Sequence, residues 1–346
     1  MHIMNIKQET SMNKKKIASF ALIPFLFLTS CKKEEIPVQE AEKPKEETAE
    51  TQPAVEEVKE EETTSVFEVS DVKTVYTDEN GDTAYIPAQF AVSEKEGEHT
   101  INTGLVVIGP DGSEYVWIPT TVTPLEERDF GIYFSQSGVG SLQGYYDEED
   151  SSEHQEMVES VNEHGGFYIA RYEASRGEDG IPMSVSVEGN DPYSIWVRFS
   201  PADTQEACER LYADNDTVAG FFPWGCTFDT VLQWLVDSGN KSWDDVASNS
   251  TSWGNYTNDD FSPSAFGDST GIWTEASANN IYDLAGNNWE WTQERYGQGN
   301  YVMRSGGYNL MGGPCNGDRY PAAIRDPLPG NDHHPNVVFR SALYLK

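Results

Sequence analysis

Basic side chains are scarce in this chain: 23 Lys and Arg stand against 58 Asp and Glu, a formal net charge of −35. That balance excludes a general nucleic-acid binder, because phosphate binding depends on clustered Lys and Arg. Cysteine is scarcer still. Four in 346 residues are too few for a disulfide scaffold. Cys208 and Cys226 could pair in an exported protein, or Cys208 could equally be a small buried hydrophobe on a helix face. The apolar stretch Ile17–Leu28 falls short of the roughly 20 residues that a membrane span needs. Internal repeats of solenoid period are absent.

What is present begins with an address. Lys14, Lys15 and Lys16 precede the apolar stretch, the order of a secretory signal. Its ending, Leu28-Thr29-Ser30-Cys31, resembles the lipobox of bacterial lipoproteins, with Leu at −3 and small residues at −2 and −1. The resemblance implies a diacylated Cys31 as the mature N-terminus and a lipid anchor to the membrane. Residues 1–11 do not look like signal, so synthesis is expected to start at Met12. Lys32 lacks the Asp that favours inner-membrane retention in some bacteria, and the expected address is the outer surface of the cell envelope.

Residues 32–65 carry twelve Glu and five Lys and no aromatic. Such a segment buries too little apolar surface to offset chain entropy and is expected to be a disordered, extended tether. Residues 66–346 form the expected folded domain. They keep 14 basic and 45 acidic side chains, a net charge of −31, so anionic surfaces do not attract them. Aromatics make up 12% of the chain, which points to a core rich in Trp and Tyr.

Within the domain, Thr83–Phe90 reads as a strand. Gly104–Ile108 and Glu114–Ile118 read as a hairpin around Gly109-Pro110-Asp111-Gly112. One helix is expected over Glu153–Asn162, with Ser152 as N-cap and Gly165 just past its end. A second opens at Ser200-Pro201-Ala202-Asp203, with Pro at the first helical position and Ala207, Cys208 and Leu211 on one face. A third follows Thr227 and buries Phe228, Val231, Leu232 and Leu235 at helical spacing. Beyond Ser238 the composition is loop-rich for more than a hundred residues. Loops that long usually serve a function.

Three stretches share one pattern. They are Gly166-Phe167-Tyr168-Ile169-Ala170-Arg171-Tyr172-Glu173, then Asn280 to Thr292 with Gly286-Asn287-Asn288-Trp289-Glu290-Trp291 at its heart, and Arg304-Ser305-Gly306-Gly307-Tyr308 closed by Phe339-Arg340. In this order they resemble the formylglycine-generating-enzyme domain, a variant of the C-type lectin fold, over about residues 85–346. The resemblance implies an α+β fold of short strands, two or three helices and long structured loops.

That family divides by function, so the fold alone does not assign one. The oxidase branch uses two cysteines, five residues apart, to bind copper. Here Cys315 falls at the second position but Leu310 occupies the first, and one thiol is no soft two-thiolate copper site. The sulfoxide-synthase relatives use a His-x-x-x-His-x-Glu iron triad, and none of the six histidines here has that spacing. An enzyme is therefore not expected, and neither is an organic cofactor.

The other branch comprises the variable proteins of diversity-generating retroelements, some of them lipid-anchored, in which a reverse transcriptase rewrites the last segment of the gene. Residues 304–340 resemble such a region. A frame of Arg304, Gly307, Tyr308, Pro321, Ala322, Arg325, Phe339 and Arg340 alternates with chemically unrelated residues. These are Leu310, Met311, Pro314, Cys315, Asp318, Arg319, Ile324, Asp326, Leu328, Asp332, His333 and His334, which the resemblance makes the ligand-binding positions. Val338-Phe339-Arg340 departs from the usual Gly-Phe-Arg ending, and Arg304-Ser305-Gly306-Gly307 from Arg-Gly-Gly. The implied partner is a protein or glycan at the cell surface. A formylglycine-type copper oxidase built on Cys315 and a fixed-sequence envelope lipoprotein are the alternatives.

The resemblance further implies a structural calcium. Asp283 and Glu290 would offer carboxylates, Gly286 and Asn288 backbone carbonyls, the hard oxygens that calcium prefers. The competing reading is that Asp283 and Glu290 accept backbone N–H bonds in turns. Trp289 and Trp291 are expected in the core, whereas Trp224, Trp243, Trp253 and Trp273 fit either core or surface.

Overall fold

The computed structural model describes residues 69–120, 130, 144–146, 151–187, 194–256, 269–307, 309–310, 313–314 and 317–346. The signal, Cys31 and the acidic tether lie outside them, as do Tyr308, Met311 and Cys315. Side chains of Leu310 and Pro314 are likewise undescribed.

Two sheets organise the domain. The larger has six antiparallel strands in the order Val218–Phe221, Ala342–Leu345, Gly166–Ala170, Glu114–Pro119, Val106–Ile108, Ala91–Val92. Strand alternation sends Val116 and Ile118 to one face and Tyr115 and Trp117 to the other. Both faces are covered. Helix α1 (Ser152–His164) and helix α3 (Gly225–Asp237) lie against the first, through Met157, Val161, Phe228, Val231, Leu232 and Leu235. Phe90, Leu105 and Leu211 close the second.

The smaller sheet is built on the strand Trp289–Tyr296, the longest in the fold. Asn300–Arg304 runs antiparallel on one side of it, followed by Asp326–Pro329, while Val337–Val338 runs parallel on the other. A bulge interrupts the first pairing between Trp291 and Arg295. The C-terminal strand then enters the middle of the larger sheet. Residues 305–336 are thus held at both ends by strands flanking one central strand.

Local signals explain most of the helices. Ser151 caps α1 by accepting from the His154 N–H at 3.1 Å, one residue earlier than expected, and Gly165 ends the helix in the left-handed region at φ 73°. Helix α2 (Pro201–Glu209) has the full reciprocal cap between Ser200 and Asp203. Helix α3 begins at Gly225, before Thr227 rather than after it, and Trp224 at its N-cap gives no side-chain bond. The short helix α4 (Trp243–Ala247), capped by Ser242 and Asp245, lies in the stretch read as loop. The hairpin forms with Val106 opposite Val116, while only Thr83–Ile86 of the first expected strand is extended. Cys208 and Cys226 are both buried and form no disulfide with each other. Trp224, Trp253, Trp289 and Trp291 are core, whereas Trp243 and Trp273 are exposed.

A buried arginine frame beneath two outward loops

Four charged side chains form a closed ring at the junction of α3 and the smaller sheet. Arg304 Nη2 lies 2.5 Å from Asp229 Oδ1, and Arg304 Nη1 lies 3.1 Å from Glu294 Oε2. Arg325 pairs with the same two acids, through Asp229 Oδ2 and, at 2.6 Å, Glu294 Oε1. All four side chains are fully buried. Each carboxylate thus bridges both guanidinium groups, and the ring is neutral. Such pairs are retained in an interior only when every charge is matched, because stranding one costs roughly 3–5 kcal/mol.

A second buried group surrounds Arg340. Its Nη2 lies 2.7 Å from Glu290 Oε1, its Nε lies 3.1 Å from Oε2, and Nη1 and Nη2 also donate to the carbonyls of Ala170 and Tyr282. Glu173 lies close by and accepts from Asn287 Nδ2 at 2.6 Å, from the Asn288 N–H at 3.0 Å and from Asn288 Nδ2. Burial pushes the Glu173 carboxyl well above the usual range, and the nearby Asp283 and Glu290 charges add to this. Burial likewise raises Glu290, against the opposing pull of Arg340. Arg340 itself is held above its ordinary value by Glu290, although burial acts to lower it.

This arrangement does not fit the expected calcium. Both oxygens of Glu290 face the Arg340 guanidinium, so a divalent cation there would meet a positive charge. Asp283 is spent on Thr270 Oγ1 at 2.8 Å, the Gly271 N–H at 2.9 Å and Asn255 Nδ2 at 3.2 Å. The Gly286 carbonyl, offered as a calcium ligand, accepts from Ser305 Oγ at 3.4 Å, and the Asn288 N–H and side-chain amide donate to Glu173. Gly286 is needed for close approach: at φ 82°, a Cβ there would sit 2.3 Å from the Asn255 carbonyl oxygen. Among the described residues no three His, Cys, Asp or Glu side chains gather as a metal site. As to the competing reading, Asp283 accepts one backbone N–H, that of Gly271, beside two side-chain donors, whereas Glu290 is held by the Arg340 side chain.

Between the arginines the chain changes character. Tyr320 to Arg325 is irregular in backbone yet buried throughout. The Ala323 N–H donates to the Val246 carbonyl, the Ala322 N–H to Ser250 Oγ, and the Ile324 carbonyl accepts from Arg304 Nε. Ile324 is only 2% exposed and packs with Trp289, Trp291 and Phe339. Asp326 is 8% exposed, and burial raises its carboxyl to about 7. Ile324 and Asp326 are therefore not outward-facing ligand positions: the first fills the core and the second begins a strand that pairs with Met303. Leu328 is half-buried against the same core.

The remaining described positions form two groups, with Asp318, Arg319 and His333 exposed and Asp332 and His334 half-buried. Asp318 and Arg319 are exposed in the turn after the short pair Asn309–Leu310 and Gly313–Pro314. Asp332, His333 and His334 follow Pro329. The His333 side chain is 58% exposed, with Nδ1 3.1 Å from the Arg198 carbonyl oxygen and 3.7 Å from Asp203. His334 is half-buried, and burial lowers its pKa.

Asp229, Glu294 and Glu173 complete both charge clusters and were not singled out from the sequence. Asp229 had a legible signal, since it interrupts the apolar stripe of α3 between Phe228 and Val231.

No protein-family model matches the chain, and no curated protein matches it. Among solved structures it is similar to PvdO from Pseudomonas aeruginosa, at 14% identity over 73% of this chain and all of that one, with a TM-score of 0.41. It is similar to CarF at 15% identity, 52% and 87% coverage and a TM-score of 0.37. It is also similar to the Treponema denticola variable protein 1, at 12% identity, 79% and 99% coverage and a TM-score of 0.26.

Proposed function

We propose that this chain is a lipid-anchored surface protein that binds a protein or glycan through exchangeable C-terminal loops and performs no chemistry itself. The class is that of retroelement-diversified variable proteins on a formylglycine-generating-enzyme-like lectin fold. One observation supports it above the others. Within residues 304–340 the three arginines Arg304, Arg325 and Arg340 are buried and ion-paired, while Asp318, Arg319 and His333 between them face solvent. Side chains that carry no packing can change without loss of the frame. The resemblance to variable proteins counts Leu310, Met311, Pro314 and Cys315 among the exchangeable positions as well. Cys31 supplies the anchor, and the acidic tether holds the domain away from the lipid.

Sequencing the DNA beside the gene tests this reading. The expected result is a near-copy of the segment encoding residues 304–340, differing at adenines, with a reverse transcriptase gene nearby. A flanking region without such a copy would leave a fixed-sequence envelope lipoprotein instead.

A further inference from the structure

We propose that residues 66–68 of this chain dock as an added strand on the outer edge of the larger sheet, beside Ala91–Val92. That strand ends the sheet, and no described strand pairs with its outer side. The Ser93 N–H donates inward to the Val106 carbonyl at 2.9 Å, and Val92 lies opposite Val107. Strand alternation therefore turns the Val92 N–H and C=O outward, off the sheet. An edge of this kind is a template for one more strand.

A trough of about 520 Å³ follows this edge, lined by Gln89, Ala91 and Val92 on one side and by Ile108 and Pro110 on the other. Ala91 and Ile108 are half-buried and Pro110 is exposed, so the trough offers an apolar wall that no described residue covers. None of residues 304–340 lines it, and the inference is independent of the function proposed for them.

The chain itself supplies the occupant. Val69, the first described residue, lines the trough and is 62% exposed. Next to it, the Ser70 carbonyl accepts from the Gln89 N–H at 2.7 Å, which pins the chain beside the residues that lead into Ala91–Val92. Val92 lies three positions after Gln89, and Phe67 lies three positions before Ser70. Extended backbone advances about 3.3 Å per residue, so a run from Ser70 back to Phe67 comes abreast of Val92. Val66 and Phe67 are strand-forming residue types, and Phe67 is the first aromatic after residue 31. An aromatic ring at this point buries the apolar wall of the trough. Docked there, the segment seals an edge that otherwise invites pairing with a second chain. It also fixes where the acidic stretch upstream leaves the domain.

Amide hydrogen exchange in the full chain, resolved at Val92, tests the docking. Phe67→Asp takes away the ring. Val66→Pro combined with Phe67→Pro takes away two adjacent N–H donors, so whichever of them faces Val92 is lost. The Val92 amide should exchange about tenfold faster in either variant than in the parent. Val116, inside the sheet, should keep its rate in all three, which shows that the fold is intact. A Val92 amide that exchanges like an open one in the parent, or at the same rate in parent and variants, would overturn the proposal. So would protection that rises with protein concentration, because the added strand would then come from a second copy.

Discussion

Replacing Arg325 by Met tests the buried ring most sharply. Met keeps an apolar stem of similar length, so the change isolates the guanidinium. Its loss removes the contacts to Asp229 and Glu294 together, leaving one remaining cation, Arg304, to serve two fully buried carboxylates. Removing one member of such a group costs roughly 3–5 kcal/mol. For a domain of this size each kcal/mol shifts the melting temperature by about 2–4 °C, so the melt should fall by roughly 6–20 °C in differential scanning calorimetry. Arg319→Met, an exposed change six residues earlier in the chain, should stay within about 0.5 kcal/mol. Adding Asp229→Asn to Arg325→Met restores charge balance with Arg304 and Glu294, and should recover part of the loss. Equal melts for the Arg325 and Arg319 variants would refute the ring as a structural element.

Asp326 gives stability a pH slope of known sign. Its folded-state pKa is raised to about 7 from 3.8, so the folded protein binds the extra proton and stability falls as pH rises between these values. The total loss is at most about 4 kcal/mol; Asp326→Asn should flatten the slope and be the more stable form above pH 7, and parallel denaturation profiles would contradict this. Ile324→Ala should cost about 2–4 kcal/mol as a buried truncation, whereas a surface position would show almost nothing in urea melts. EDTA should leave the melting temperature unchanged, because Arg340 occupies Glu290. A drop that added calcium restores would show a bound ion instead.

Local chemistry was legible in the sequence wherever a few adjacent residues decide the outcome. The Ser200–Asp203 cap, the glycine end of α1, the hairpin turn and the apolar stripe of α3 are all of this kind. The two core tryptophans and the fixed character of Arg304, Arg325 and Arg340 came from spacing that matched a known pattern. The partners of those arginines did not. Asp229 is 75 residues from Arg304 and 96 from Arg325, and nothing local says which acid a buried guanidinium will meet. Ile324 misled for a related reason. The variable-protein resemblance placed it among the exchangeable positions beside the fixed Pro321, Ala322 and Arg325, yet Val246, Ser250 and Arg304 supply the hydrogen bonds that keep this irregular backbone buried, Ile324 included. The outward face is therefore divided, with Asp318 and Arg319 on one side of this clamp and Asp332 to His334 on the other.

The decisive measurement is the folded fraction of a library randomised together at Asp318, Arg319, Asp332 and His333, read by pulse proteolysis. If the arginine-pinned backbone alone sets the shape of this region, most members resist protease like the parent. A library in which most members are cleaved would mean these side chains are structural, and no replaceable surface exists there.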